Sequence, residues 1–293
     1  MIVISYMSDI LLYDNKQNTS LTNFNIKENF DRRFAKKRDK SVLYALKAME
    51  ILESQFKIDS LNLNDTGIFL SNIYGGWDYV EHQLADLYKQ GLDVINPYVA
   101  TAWFATAAQG EISIKYGIKG YSKTLCAGNI GGGIALKHSY EKLLDKKIES
   151  AIVGAVEAPN TKLLNRVICN NAFADGSILF LLENEDDAHS LKHDVKIRIL
   201  DINITKKEDL NLKKIANKKN AVIVDVKINQ NKIDIVDNQQ DIISDKFLKI
   251  ELFSLEIPYL IKILYETYKG QGQDVLLNCS DTRQTFSLYM NIL

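Results

Sequence analysis

Apolar residues in the first half of the chain recur at two different periods, which predicts alternating helices and strands. A stripe of apolar side chains at helical spacing predicts an amphipathic helix over Ser41–Gln55. A continuous apolar run predicts a short buried strand over Gly67–Ile73. A second amphipathic helix is expected from Trp77 to about Gly91.

A third helix is predicted to begin at Asn96 and Pro97. Asparagine is a favourable N-cap residue, and proline is favoured at the first helical position. The first turns, which include Trp103 and Phe104, are nearly uncharged. The helix is therefore expected to run towards Gly117 and to be buried on most sides.

The middle of the chain reads as a strand, a tight turn, a helix and a second strand. The strand is expected over Ser122–Cys126 and the helix over Ile134–Leu144, with a glycine-rich turn between them. An apolar strand over Ala151–Ala158 follows. A strand, helix and strand in this order form a parallel crossover, which predicts a layered α/β fold.

The second half is more polar, and its alternating pattern predicts mainly strands. Residues 206–219 are expected to form a charged loop or a short surface helix, and Pro258–Gly270 an amphipathic helix. The predicted strands cover residues 173–184, 195–204, 221–228, 232–237, 274–280 and 285–293, with the third and fourth forming a hairpin.

Composition limits the possible partners. The 36 basic and 37 acidic residues give a net charge of −1, so no strong field attracts nucleic acid or an anionic membrane. The apolar N-terminal segment lacks a basic region before it and is expected to be a core strand, not a signal peptide. No uncharged apolar run is long enough to span a bilayer, which predicts a soluble, cytoplasmic protein.

The three cysteines, Cys126, Cys169 and Cys279, are far apart and form no CxxC pair. A disulfide framework or a zinc site is therefore unexpected, and no cofactor or metal is predicted. The glycine-rich turn does not fit the phosphate-binding pattern G-x-G-x-x-G. Its glycines are better explained by a sharp turn that lets a helix pack close to its strand.

A residue at that turn would lie at the positive end of the following helix. Acyl-transferring enzymes place a nucleophile there, where the helix dipole lowers the pKa of a thiol. In this chain the position is occupied by Asn129. A carboxamide cannot attack a thioester, although it can donate hydrogen bonds to a carbonyl or carboxylate.

The stretch from Gly120 to Ala158 resembles the nucleophile region of β-ketoacyl synthases of the thiolase superfamily. The register places Asn129 where the family has its catalytic cysteine, and Gly154 and Glu157 on the family's glycine and acidic residue. Cys126 lies three residues earlier and is expected to be a buried core thiol inside the strand.

The family's catalytic histidines have no counterpart in this resemblance. Aligning Ser254-Leu255-Glu256 with the corresponding family helix places Phe247 at one histidine position. No histidine follows His193, so the second catalytic histidine is also missing. Decarboxylative condensation would then lack both its nucleophile and its bases.

Several segments, including Gly75–Leu84, Pro97–Phe104 and Gly110–Ile114, resemble the chain-length factors of type II polyketide synthases. These ketosynthase-like subunits pair with an active ketosynthase and carry glutamine in place of its cysteine. The resemblance implies a thiolase-like layered αβαβα fold with an abbreviated C-terminal half. The two halves are predicted at residues 1–195 and 196–293, together forming one compact unit.

The resemblance also implies how the subunit works. Trp77, Val80 and Leu84 match the residues that gate the polyketide tunnel, and their spacing places them on one helical face. The implied partners are a ketosynthase α subunit, in a heterodimer, and an acyl carrier protein with its phosphopantetheine-bound acyl chain. The residues expected at the heterodimer interface are Tyr98, Trp103, Phe104, Thr124 and Cys126.

Two enzymatic alternatives stay open at this point. Cys126 lies near the nucleophile turn, so the chain could be a stand-alone acyltransferase or condensing enzyme. Asn129 could instead assist the decarboxylation of malonyl thioesters through its amide. Whether the chain is an enzyme is thus undecided from the sequence, and a non-catalytic subunit is the favoured interpretation.

Overall fold

The structure of the protein is a computed structural model, and it describes residues 1–13, 24–167, 173–206, 221–227, 232–236 and 252–293. The strands are β1 Ile2–Tyr13, β2 Thr66–Ser71, β3 Lys123–Leu125, β4 Ser150–Glu157, β5 Ala174–Asn184, β6 Ile197–Lys206, β7 Val222–Lys227, β8 Lys232–Val236, β9 Gln273–Ser280 and β10 Gln284–Ile292. The helices are α1 Ile26–Asn29, α2 Arg32–Ala35, α3 Lys40–Glu53, α4 Trp77–Gln90, α5 Val99–Ala102, α6 Ala107–Tyr116, α7 Gly131–Leu144, α8 Lys162–Val167, α9 Glu185–Leu191 and α10 Glu256–Tyr268.

The strands form one continuous sheet whose order repeats. The order is β3-β2-β4-β5-β1-β6-β10-β9-β7-β8, so the second five strands, taken backwards, follow the same scheme as the first five. In both halves the second and third strands of the scheme are parallel, and the next two pairs are antiparallel. The halves join where Ile2–Ile4 of β1 pairs with Ile197–Ile199 of β6.

Two hydrophobic cores separate the layers. The larger core packs α7 and α10 against both halves of the sheet, which buries these two helices in the middle of the molecule. The second core packs α3 and α6 against the opposite face of the first half. Helices in the centre and on the outside of a sheet form the layered α/β arrangement that the sequence predicts.

Most element types agree with the sequence pattern. The N-terminal segment is the core strand β1, the segment from Trp77 is the helix α4, and β7 and β8 form the predicted antiparallel hairpin. Residues 207–219 of the predicted charged segment lie outside the described residues. Within the described ranges, no helix combines the length and the apolar character needed to cross a bilayer.

The helix predicted from Asn96 towards Gly117 is wrong in two respects. First, the segment forms two helices, α5 and α6, because N–H groups of the loop before α4 donate hydrogen bonds to the carbonyl groups between them. Gly76 N–H donates to Trp103 O at 3.3 Å, and Asn72 Nδ2 donates to Ala105 O at 2.8 Å. The segment is also not buried on most sides, since about half of the Trp103 side chain is exposed.

The helix α7 begins at Gly131, three residues earlier than predicted. Glycine has a low helix propensity, so the sequence pattern favours a turn there. Tertiary packing reverses that preference, because a Cβ atom on Gly132 would lie 2.5 Å from Pro258 Cδ of α10. The two central helices can approach this closely only because glycine has no side chain at the point of contact.

Candidate functional site

The candidate site lies at the turn that joins β3 to α7. The strand ends at Leu125, and Gly128 adopts a positive φ of 67°, which reverses the chain direction. Asn129 is half-buried in the short 3-10 turn Gly128–Ile130, which leads directly into α7. Asn129 therefore lies beside the positive end of a 14-residue helix.

The first turn of α7 is packed against residues that are far away in the sequence. A Cβ atom on Gly131 would collide with the Ser71 hydroxyl at the end of β2. That hydroxyl donates to Leu125 O at 2.8 Å, which ties the end of β2 to the end of β3. The turn that carries Asn129 is thus held rigidly by its neighbours.

Glu157 is a fully buried carboxyl group at the end of β4. It accepts hydrogen bonds from Ile73 N–H at 2.8 Å and from the Ser254 hydroxyl at 2.5 Å. Burial raises the pKa of Glu157 to about 7, and these hydrogen bonds limit the rise. Ser254 belongs to the 3-10 turn Phe253–Leu255 that leads into α10, so the Glu157 side chain connects the two halves of the protein beneath the site.

The contact between Glu157 and Ser254 was not predicted. The sequence indicates an acidic residue at the end of the strand, but it gives Ser254 no role beyond its place in the register of the later helix. The two residues are 97 positions apart, so no local pattern indicates that they meet. A serine placed just before an apolar helix was the available signal.

The prediction that Cys126 is a buried thiol inside the strand is wrong. β3 ends at Leu125, and Cys126 is exposed just beyond it. Its Sγ lies 3.9 Å from Asn72 Oδ1. Desolvation of the thiol and the nearby Glu157 carboxylate raise the pKa of Cys126, which is the opposite of what an activated nucleophile requires.

The three predicted gate residues share one face of α4. Trp77, Val80 and Leu84 are all half-buried, and the buried residues of the helix are Asp78 and Tyr79. An apolar face that is only partly covered differs from ordinary core packing. It is available to line a cavity or to contact another molecule.

The predicted interface residues lie on exposed aromatic surface and at the edge of the sheet. Tyr98, Trp103 and Phe104 are each 45–52% exposed, and the rings of the last two lie 5.0 Å apart. Thr124 belongs to β3, the first strand in the sheet order, and its hydroxyl donates to Gln109 Oε1 of α6 at 2.9 Å. Phe247, predicted at a catalytic histidine position, lies outside the described residues.

A second group of side chains is arranged like a hydrolytic triad of carboxylate, imidazole and hydroxyl, but it cannot perform the chemistry of one. The buried His193 places Nδ1 2.9 Å from Glu183 and Nε2 3.5 Å from the Ser60 hydroxyl. That hydroxyl already donates to Lys57 O at 2.6 Å. The N–H groups of Ser60 and Leu61 are also bonded within their own turn, so neither can stabilise an oxyanion. The arrangement is structural.

Comparisons with known proteins agree with this geometry. The family model described as the β-ketoacyl synthase N-terminal domain matches residues 13–172. The actinorhodin polyketide β-ketoacyl synthase 2 of Streptomyces coelicolor is 31% identical over 121 residues, which cover 41% of this chain and 30% of that protein. The match thus spans less than a third of that relative's length.

Two solved structures share the fold over 100% of this chain and 99% of theirs. A type II polyketide synthase acyl-carrier protein in complex with its ketosynthase bound to the hexaketide (AntDE:AntF) matches with a TM-score of 0.79 and 20% identity. The ishigamide ketosynthase/chain length factor matches with a TM-score of 0.78 and 14% identity.

These matches confirm the predicted thiolase-like α/β fold and the predicted resemblance to ketosynthase-type proteins, including those named β-ketoacyl synthase 2. The family match covers more than half of the chain and includes the turn that carries Asn129. The chain belongs to the β-ketoacyl synthase family.

Proposed function

We propose that this chain is a cytoplasmic, non-catalytic chain-length factor that pairs with an active ketosynthase and shapes its acyl tunnel in polyketide or polyene biosynthesis. The observation that carries the proposal is Asn129, which occupies the turn at the positive end of α7 in a ketosynthase fold. An amide has no nucleophilic electron pair to offer a thioester, so the site cannot form an acyl-enzyme. The partners would be a ketosynthase α subunit and an acyl carrier protein with its phosphopantetheine-bound acyl chain.

The neighbouring thiol does not restore this chemistry. The raised pKa of Cys126 keeps it protonated at neutral pH, which argues against a stand-alone acyltransferase. The dipole of α7 and the Asn129 amide could hold a carboxylate, so assisted decarboxylation of malonyl thioesters stays a prediction. The tunnel-shaping role, unlike these two enzymatic alternatives, also accounts for the exposed aromatic residues and the edge strand β3.

That surface has two features of a subunit interface. Tyr98, Trp103 and Phe104 expose aromatic area, and aromatic residues are enriched in the centres of protein interfaces. β3 ends the described sheet, and an edge strand offers N–H and C=O groups to a strand of a partner. The hydrogen bond from Thr124 to Gln109 connects this edge to α6, which follows the aromatic pair.

Co-expression with a ketosynthase that has the complete cysteine and histidine set tests the proposal. Light scattering is expected to show one heterodimer. Replacing both Trp103 and Phe104 with aspartate should weaken the pairing at least thirtyfold, about 2 kcal/mol, because charged groups would be buried against an apolar partner.

The matched control is Leu191→Asp, which also adds a charge to an exposed apolar position but on α9. It should leave the affinity within twofold of wild type. Two independent monomers from the wild-type pair, or equal losses in both variants, would contradict the proposed interface.

Trp77→Ala is expected to lengthen the product by one or more extension units. The half-buried indole is the largest side chain on the proposed gate face of α4, and removing it opens space for a longer acyl chain. Mass spectrometry of the products of the reconstituted complex measures the change. Lys89→Ala, at an exposed position on another face of the same helix, serves as the control. Identical product profiles for Trp77→Ala and wild type would refute the gate role.

A further inference from the structure

Asp39 is a buried carboxylate that caps two helices at once. It is the N-cap of α3, where its Oδ1 accepts Ser41 N–H at 2.8 Å and the Ser41 hydroxyl at 2.7 Å. Its Oδ2 accepts Tyr79 N–H at 2.9 Å, in the first turn of α4. Asp39 has no solvent exposure. One side chain therefore fixes the starts of two helices that are 40 residues apart.

The helix α4 needs a cap from elsewhere because its own N-cap residue is Gly76, which has no side chain. A larger residue does not fit there, since a Cβ atom on Gly76 would lie 2.5 Å from Trp103 Cα. The close approach that makes glycine necessary also removes the usual serine, threonine or aspartate cap. Asp39 supplies the missing acceptor.

An ion pair reinforces the same junction. Lys40 Nζ lies 2.7 Å from Asp78 Oδ1, which joins the first turn of α3 to the first turn of α4. A third carboxylate, Asp175, completes the cluster and accepts hydrogen bonds from Tyr44 and from Asn160 N–H. Burial lowers the pKa of Lys40, but the three carboxylates, Asp78 above all, raise it above its usual value.

The remainder of α4 is held more loosely. Beyond its first turn, α4 side chains accept hydrogen bonds at two partly exposed positions, Glu81 from Leu163 N–H at 3.0 Å and Gln83 from Asn96 N–H at 2.6 Å. Asp78 and Tyr79, the buried residues of the helix, both lie in the turn that Asp39 and Lys40 hold. The direction in which α4 leaves the core thus depends on that junction.

We infer that Asp39 is a positioning residue for α4 and, through it, for the face that carries Trp77, Val80 and Leu84. Asp39 is fully buried, and it acts by fixing where the gate residues stand. The link to product length rests on the proposed function, whereas the anchoring of α4 does not.

Hydrogen exchange of the isolated full chain tests the anchor. Asp39→Asn keeps the size of the side chain but leaves one acceptor oxygen for two helix starts, and its NH₂ group faces an N–H donor. Amide exchange in residues 77–90 is expected to rise at least tenfold, with a smaller rise in α3.

The matched control Ser41→Ala removes one hydrogen bond to Asp39 Oδ1 and leaves the Tyr79 bond, so amide exchange in α4 should stay within twofold of wild type. Lys40→Met is the second test, and it serves if Asp39→Asn does not fold. It breaks the ion pair and keeps the cap, and it should raise amide exchange in α4 about threefold.

The reconstituted ketosynthase complex tests the consequence for products. Asp39→Asn is expected to broaden the distribution of chain lengths, and Ser41→Ala to leave it unchanged. Unchanged α4 exchange in Asp39→Asn and Lys40→Met, or equal rises in α3 and α4, would overturn the inference. Loosened α4 with unaltered products from a working complex would overturn the link to length. If the wild-type chain forms no complex, the proposed function fails and the exchange result alone decides the anchor.

Discussion

As the pH rises from 5 to 8, the free energy of unfolding of the Glu157→Gln variant is expected to increase by about 2.5 kcal/mol relative to that of wild type. Glu157 has a pKa of about 7 in the folded protein against 4.5 for an exposed glutamate, because it is fully buried. A raised carboxyl pKa means that the fold prefers the protonated form. Its stabilising contribution is complete below pH 4.5 and is lost as the pH rises to about 7. Glutamine does not titrate, so the variant escapes this loss.

Urea unfolding of both proteins at pH 5 and pH 8 measures the difference. Each pH unit between 5 and 7 should cost wild type about 1 kcal/mol of the free energy of unfolding relative to the variant. Glu266→Gln removes a carboxylate from the partly exposed end of α10 and should show no such pH dependence relative to wild type. Parallel pH profiles for wild type and Glu157→Gln would show that the Glu157 carboxyl group is not destabilised by burial.

Gly132→Ala is expected to destabilise the fold by about 3 kcal/mol, despite the better helix propensity of alanine. The added Cβ atom would lie 2.5 Å from both Pro258 Cδ and Ser254 O. The second of these is backbone, so neither neighbour can move aside without shifting the start of α10. The same shift would disturb the hydrogen bond between Ser254 and Glu157.

Gly110→Ala is the matched control, because Gly110 is also inside a helix but has no atom within 4 Å of its added Cβ. This variant should be stabilised by about 0.5–1 kcal/mol. Thermal unfolding should therefore move in opposite directions, by about 6–12 °C downwards for Gly132→Ala and a few degrees upwards for Gly110→Ala. Equal shifts for both variants would contradict the close packing of α7 on α10.

Local patterns were sufficient for much of the fold. Helical and strand periods correctly predicted α3, α4, β2 and the crossover through α7, because each of these elements buries one face or is buried throughout. The interrupted helix was predicted as one piece because the residues around Trp103 all favour helix. The break is caused by hydrogen bonds from Asn72 and Gly76, which no local period records.

Some features of the candidate site could also be predicted from the sequence, and others could not. The glycines of the turn and the absence of a cysteine at Asn129 were visible in the sequence, because turn geometry and side-chain chemistry are local properties. The exposure of Cys126 was not visible, since it depends on where β3 ends and on what covers the turn. The contact between Glu157 and Ser254 also required the folded chain.

The sequence alone thus determined the order of the elements and the loss of the nucleophile, which depend on neighbouring residues and on the identity of one side chain. Only the tertiary structure decided how the site is supported. Glu157 meets Ser254 and Asp39 meets Tyr79 across long stretches of chain, and buried carboxylates take the donors that the fold brings to them. Asn129 itself was evident from the sequence, whereas the rigid turn that holds it results from packing against Ser71 and α10.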